Sequence, residues 1–516
     1  MAAKFVEYFS DAYFWHVIYF TVLQATLSTV FSLLIALPAA RALAHRHFIG
    51  KKSILLLMQF LWMLPNITVV LGLVIVYGKQ GWLKSLLNSL EIDFSFSLYG
   101  LPGILLAHLF LDIPLAMRLI FNELIRIPGE SWRLAAQLAM SPYQAFRFIE
   151  WPQIKAPILG IACLIFLLCF QGFTLILALG GGPRASTIEV AIYHAVRFDF
   201  DFEAAFYLAL WQVSFCLTIT SLSFSFVRKS LSYSTIGLRQ TTSGIPKKIS
   251  PTNFINLVTQ HNRSAFLLDI LSLAVTLLFL LPPFAAILFS GINATFSKII
   301  ASETFWISFG YSLSTALCTG ALSIFLSLSI AFYLRHLRIK HKRFFISTIL
   351  ETISISYLII PPTILSMLLF FLFNSLSNKT LLGFYAIIFI NSLMALPFAL
   401  RSLTYSSQEI LEKYNKLYRS LGLSFWQRWK FVEAPLLRKN ISHALALSVI
   451  LALGNFSVIA FFGSASLQTL PYMIYTLLGS YQLEEAAVVV LCLILLSILL
   501  LIIIDRVVGG KNAANQ

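Results

Sequence analysis

The stretch SWRLAAQLAMSPYQAFRFIEWPQIK, Ser131 to Lys155, returns in altered form as YNKLYRSLGLSFWQRWKFVEAPLLR from Tyr414 to Arg438. At a constant offset of 283 residues Ser141 falls on Ser424, Tyr143 on Trp426, Gln144 on Gln427 and Phe146 on Trp429. Arg147 then falls on Lys430, Phe148 on Phe431, Ile149 on Val432, Glu150 on Glu433 and Pro152 on Pro435. In each copy a helix is expected to stop at a small residue, Ala139 or Gly422, and a second short helix to run on to Pro152 or Pro435, since Gly and Pro end or bend helices. Tyr143, Phe146 and Ile149 recur every third residue there, as do Trp426, Trp429 and Val432, which draws an aromatic stripe with Arg147 and Lys430 on another face. A stripe of this kind either packs on its own domain or docks a partner. Its appearance twice, with the same basic and acidic positions, suits a partner present in two copies.

The repeat extends well beyond these loops. Pro114 and Arg118 match Pro397 and Arg401, Phe173 and Thr174 match Phe456 and Ser457, and Gly180 matches Gly463. One residue out of step, Thr187 and Tyr193 match Thr469 and Tyr475, and Glu203 to Ala205 match Glu485 to Ala487. Both copies would enter a membrane in the same direction, which makes the repeat parallel. The domains expected are 1–228 and 265–516, joined by a polar linker over 229–264.

The solvent for these domains follows from composition. Of 516 residues 59% are hydrophobic and only 11% charged, more apolar surface than soluble cores can hide. Apolar runs far longer than a barrel strand must be helices, because backbone groups in lipid need partners within their own segment. The fold class is therefore an all-α polytopic membrane protein with lipid around it. About eleven spans are expected, near 14–40, 54–78, 99–120, 157–179, 204–227, 265–290, 305–334, 344–374, 381–400, 441–463 and 486–504.

Of the 37 Lys and Arg, all but Lys4, Lys79, Lys84, Arg184, Arg197, Lys298 and Lys379 fall on one side of this arrangement. The positive-inside rule makes that side cytoplasmic, with both loops and the C-terminal tail on it. The first span then runs inward, so a further helix is expected ahead of Met1. The net charge of +16 reads as topology, with no role for nucleic acid. Cys163, Cys169, Cys216, Cys318 and Cys492 all lie in apolar runs, where a thiol behaves as a small hydrophobe, and no metal cluster is expected.

At this point the residues resemble a known pattern. Permease subunits of bacterial ABC importers carry a loop of the form E-A-A-x3-G-x9-I-x-L-P. Arg133, Leu134, Ala135, Ala139, Ile149, Trp151 and Pro152 stand at its spacing, and so do Lys416, Leu417, Tyr418, Gly422, Val432, Ala434 and Pro435. The spacing is kept and the residues drift: the Glu is Arg133 or Lys416, and the Gly is Ala139 in the first copy. The resemblance implies the type I importer permease fold, fused as two domains, in a bacterial inner membrane. It also implies that each loop docks one of two copies of a cytoplasmic ATP-binding subunit, which carries the ATP and Mg. This chain would bind no cofactor and catalyse nothing, in keeping with its lack of a GxxxxGK[ST] phosphate loop.

The fused arrangement is that of ferric iron and thiamine importers. LALGGGPRASTIEVAIYHA (Leu177 to Ala195), YGKQGW (Tyr77 to Trp82) and GILLAHLF (Gly103 to Phe110) look like the thiamine permeases, implying thiamine and its phosphates as solutes, with ferric iron the alternative. A periplasmic solute-binding protein would dock on outer loops near 180–203 and 464–485. Gln171, Phe173 and Thr174, with Asn455, Phe456 and Ser457, stand near breaks in matching spans. They would line the path of a cationic aromatic solute or else pack helices through Gly172 and Gly454.

His108 and Asp112 share a helix face inside a span, where ionisable groups are functional suspects. A local hydrogen bond between them, or a pairing of Asp112 with Arg118, is the expectation; a proton-coupled carrier is the rival reading. Asp269 and Glu351 are expected to be solvated at the ends of their spans.

Overall fold

The computed structural model describes residues 11–46, 48–92, 96–238, 263–292, 295–339, 360–374, 376, 378–464 and 466–509. Among them the chain is helical, with one isolated bridge between Ser464 and Leu467 and no strand. Ten of the described helices are long and apolar enough to cross a membrane. Of the expected span 344–374, only the part from 360 on is described, as the helix Pro362–Asn374.

The packing divides into two compact units. The first holds Met1–Leu64, Gly72–Ala191 and Glu203–Ala286, and the second Pro65–Leu71, Ile192–Phe202 and Ile287–Gln516. These packing units cut the chain differently from the sequence repeats. The helix Arg263–Ser290 lies largely in the first unit, and the first ten residues of the expected linker continue the helix Phe202–Leu238.

The first unit is built on α1 (Ala12–His45), α2 (Lys51–Trp62), α4 (Trp82–Ser89) and α5 (Leu101–Leu124), with α3 (Asn66–Tyr77) divided at Leu71 between the two units. Pro65 explains why the expected span 54–78 is two helices. It offers no N–H to continue α2 and holds Leu64 out of helical conformation. α1 packs against α5 and buries Ala25, Ala36, Ala39 and Ala40 together with Ser28 and Ser32. Small and hydroxyl residues at a helix contact are what membranes favour, because dispersion and close backbone approach must replace the hydrophobic effect there.

After α5 come α6 (Gly129–Gln137), α7 (Pro142–Ala145) and α8 (Trp151–Phe170), then α9 (Thr174–Leu179), α10 (Ile188–Arg197), α11 (Phe202–Leu238) and α12 (Arg263–Ser290). Asp269 on α12 is buried and takes a 2.8 Å hydrogen bond from Arg46 Nε, so it is paired and not solvated as expected. Glu351 lies outside the described residues.

In the second unit α13 (Phe296–Ala301), α14 (Glu303–Ile339), α15 (Pro362–Asn374), α16 (Lys379–Ser420), α17 (Phe425–Arg428) and α18 (Ala434–Gly454) precede α19 (Ile459–Phe462), α20 (Leu470–Gly479) and α21 (Leu483–Ile504). α14, α16 and α18 pack on one another around Ala331, Ala399, Leu403 and Ala444. Gly320 lets α14 meet α18 closely, since a Cβ there would stand 2.5 Å from Val449 Cγ2. Copy two runs unbroken from its span to Ser420, whereas copy one breaks between α5 and α6 at Pro128, which the repeat replaces with Leu411.

Candidate functional site

Each loop is a helix, a left-handed turn and a second helix, and the two copies use the same hydrogen bonds. Ala139 has φ 46° and Gly422 φ 60°, the left-handed position that ends a helix. Met140 N–H donates to Ala135 O at 3.0 Å in one copy, and Leu423 N–H to Tyr418 O at 3.2 Å in the other, closing the Schellman turn. Ala135 and Tyr418 are accordingly buried. The next helix starts with a capping box. Ser141 N–H donates to Gln144 Oε1 at 2.9 Å, and Ser424 N–H to Gln427 Oε1 at 2.8 Å.

The second helix does not stop at proline as expected. A π-helical turn, Phe146–Glu150 or Trp429–Glu433, carries it straight into α8 or α18. The reason is local: Pro152 and Pro435 sit in the first turn after the π segment. Widening the ladder to i→i+5 there, with Trp151 N–H donating to Phe146 O, absorbs the missing N–H.

At the end of each π turn a buried glutamate anchors the loop. Glu150 takes two hydrogen bonds from Arg41 of α1, Nε to Oε2 at 2.7 Å and Nη2 to Oε1 at 3.1 Å, and Arg41 Nη2 also donates to Pro142 O at 3.3 Å. His45 Nε2 lies 3.5 Å from Oε1. Glu433 instead has one ion-pair contact, 3.1 Å to Arg335 Nη1 of α14, and its Oε2 has no hydrogen-bond partner. The two anchors are thus equivalent in place and unequal in strength.

The expected stripe is only partly exposed. Phe146 is half-buried under the Arg41 guanidinium, 5.4 Å from the ring centroid, and Trp429 is half-buried edge-on to Phe332 at 5.5 Å. Ile149 and Val432 are half-buried as well. The residues left outside are Tyr143 (67% exposed) and Phe148 (61%), matched by Trp426 (74%) and Phe431 (67%). Arg147 and Lys430 stand beside them, exposed. From the helix before the turn Leu134 and Leu138, matched by Leu417 and Leu421, are exposed too. Arg133 is half-buried; Lys416, Pro152 and Pro435 are exposed. In each loop four large apolar side chains, matched pair by pair between the copies, are thus exposed beside Arg or Lys.

The span breaks fall where the sequence placed them. Between α8 and α9, Phe173 and Thr174 are buried, and Gln171 Nε2 lies 3.7 Å from Cys216 Sγ. Between α18 and α19, Asn455 Nδ2 donates to Asn391 Oδ1 at 2.7 Å while its Oδ1 accepts from Ser457 N–H at 3.0 Å. Phe456 is buried against Tyr475, centroids 4.8 Å apart. Asp112 does not pair with Arg118, which donates to Gln59. It accepts from Cys169 Sγ at 3.0 Å, with His108 Nδ1 at 4.0 Å.

Residues 28–233 and 323–510 match the family described as binding-protein-dependent transport system inner membrane component. The chain belongs to this family. It is a multi-pass inner-membrane component of a transport system and not an enzyme, and ATP is hydrolysed on a separate subunit. Membership brings an ATPase subunit and a binding protein as partners. The thiamine transport system permease protein of Escherichia coli (strain K12) is 37% identical over 94% of this chain and 87% of its own length. That of Haemophilus influenzae is 36% identical over 93% and 86%, and that of Brucella abortus (strain 2308) 33% over 92% and 84%.

Sequence reasoning about this permease missed Arg41 and Arg335, the partners of Glu150 and Glu433. Both lie in basic clusters that were read as topology, and no local spacing ties them to glutamates about a hundred residues away. It also passed over Phe148 and Phe431 as docking residues. They were aligned, but a 3.6-residue helix sets them off the stripe, and their exposure within the π turns is seen only in the structure.

Proposed function

We propose that this chain is the permease of an ATP-driven importer for thiamine and its phosphates, moving solute from a periplasmic binding protein to the cytoplasm by alternating access. Each loop receives one of two identical ATP-binding subunits, which carry ATP and Mg, and the Lys/Arg-rich side with the C-terminus faces the cytoplasm. The observation that carries the coupling role is the duplicated exposed face of Leu134, Leu138, Tyr143 and Phe148 and of Leu417, Leu421, Trp426 and Phe431. Apolar patches held outward by a left-handed turn and a capping box, among Arg and Lys, are built to be covered by protein and not by lipid. The solute is supported by relatives, 33 to 37% identical over nearly the whole chain, that are named as thiamine permeases.

Gln171, Phe173, Thr174, Asn455, Phe456 and Ser457 border the solute path at the two span breaks, and they act through backbone left outside regular helix as much as through side chains. Membrane proteins place non-helical backbone where it is buried or lines a cavity.

The test is uptake into proteoliposomes holding the chain, its ATPase subunit and its binding protein. Thiamine uptake that requires ATP and survives collapse of the proton gradient is expected. Uptake that persists without ATP and vanishes with the gradient would establish the proton-coupled carrier instead, and ATP-driven uptake of ferric iron without thiamine would overturn the solute.

A further inference from the structure

In the first unit a polar cluster is buried beside the break between α8 and α9. His108 and Asp112, one turn apart on α5, are each 4% exposed, and Cys169, at the end of α8, is wholly buried. One ligand-capable atom from each lies within 4.8 Å of the other two. His108 Nε2 has no hydrogen-bond partner. Gln24 of α1 donates from Nε2 to Cys169 O at 2.9 Å, and its buried Oε1 has none either. Gly172, in the break, is forced by this cluster: a Cβ there would stand 2.9 Å from His108 Cε1. Buried polar atoms left unpaired in a membrane span are costly, and an imidazole, a thiol and a carboxyl converging on one point are a recurrent way to relieve that cost with a cation.

We propose that His108, Asp112 and Cys169 form a binding site for one divalent cation of the zinc class, which pins α5 to the end of α8 at the span break. Charge selects the class. A thiolate, a carboxylate and a neutral imidazole cancel two positive charges, so the filled site is neutral in a medium that penalises net charge. Softness selects it again, because thiolate with imidazole suits zinc or cobalt while magnesium and calcium want oxygen alone. Three protein ligands leave the fourth tetrahedral position open, and Gln24 Oε1 is the unpaired acceptor on the adjoining helix. On binding, the Cys169 thiol releases to solvent the proton that it now shares with Asp112, and its sulfur bonds the metal; no electron changes hands.

The test is spectroscopic and does not depend on transport. The full chain, purified in detergent through a tag without histidine and stripped with chelator, is titrated with Co2+. One ion per chain is expected, with the visible bands of four-coordinate cobalt and a near-ultraviolet thiolate-to-cobalt band. Cys169→Ser, which keeps the size and the donor to Asp112, should abolish the near-ultraviolet band. His108→Gln and Asp112→Asn should each weaken binding at least ~10-fold. No stoichiometric binding by the folded wild-type chain would leave a hydrogen-bonded cluster only and overturn the proposal, as would a near-ultraviolet band that survives Cys169→Ser. Should Cys169→Ser fail to fold, unchanged cobalt affinity in the other two variants would overturn it equally.

Discussion

Replacing Glu150 by Gln tests whether the buried ion pair, and not the turn alone, holds the first loop to α1. The shape is kept, but the amide can accept through one oxygen and turns its NH2 toward a guanidinium that now donates twice, at 2.7 and 3.1 Å. Breaking a buried pair by removing one partner costs about 3 to 5 kcal/mol, since the remaining charge is stranded. Arg41 retains 19% exposure and can recover some hydration, which puts the loss at the lower end, about 3 kcal/mol. At 1.4 kcal/mol per tenfold, amides of residues 145–151 should exchange with solvent about 100-fold faster. Hydrogen exchange with mass spectrometry in detergent reads this directly. The double variant Arg41→Met with Glu150→Met strands no charge and should recover most of the protection. Unchanged exchange in the single variant, or a double variant worse than the single, would refute the anchoring role. Glu433→Gln should cost less, because it gives up one 3.1 Å contact in place of two hydrogen bonds.

Ala139→Gly should stabilise the first loop by about 1 kcal/mol, because alanine now holds φ 46° at a position that costs an L-residue about 1 to 2 kcal/mol. Gly422→Val should do the reverse in the second loop and uncouple ATPase stimulation from transport. Limited proteolysis of the two loops and coupled ATPase assays would check both, and identical cleavage of Ala139→Gly and wild type would count against strain at Ala139. Phe148→Ala and Phe431→Ala remove exposed rings, so thermal unfolding should move by less than about 0.5 kcal/mol while binding of the ATPase subunit falls. Loss of stability without loss of binding would assign those rings to the permease's own packing. Gly172→Ala places a methyl 2.9 Å from His108 Cε1 and should cost about 1 to 3 kcal/mol by thermal unfolding; a neutral effect would mean that the break yields easily.

The repeat and the helical class were legible because they rest on signals that add along the chain: apolar runs of span length, alternating basic loops, and one offset that keeps its register from Pro114 to Gly180. Turn chemistry was legible for a different reason. The break at Ala139 and Gly422 is read from neighbours in sequence, while the Ser and the Gln three residues on, which were aligned but not read as a cap, form the capping box. What stayed hidden is what depends on helix register or on distance. A stripe drawn at the α period turns Phe146 and Trp429 outward with Tyr143 and Trp426. In the structure those two rings are half-buried against Arg41 and Phe332, and Phe148 and Phe431, inside the π turns, are the exposed ones. The proline that the sequence marks as the end of the helix lies just beyond each π turn, where it withdraws the donor that would reach the carbonyl of Phe148 or Phe431.

The glutamates shared by both copies sit at the ends of the two π turns. The carboxylate that closes each π turn meets Arg41 of α1 or Arg335 of α14, so the exposed face and the pair that anchors it flank the same local change of helical period.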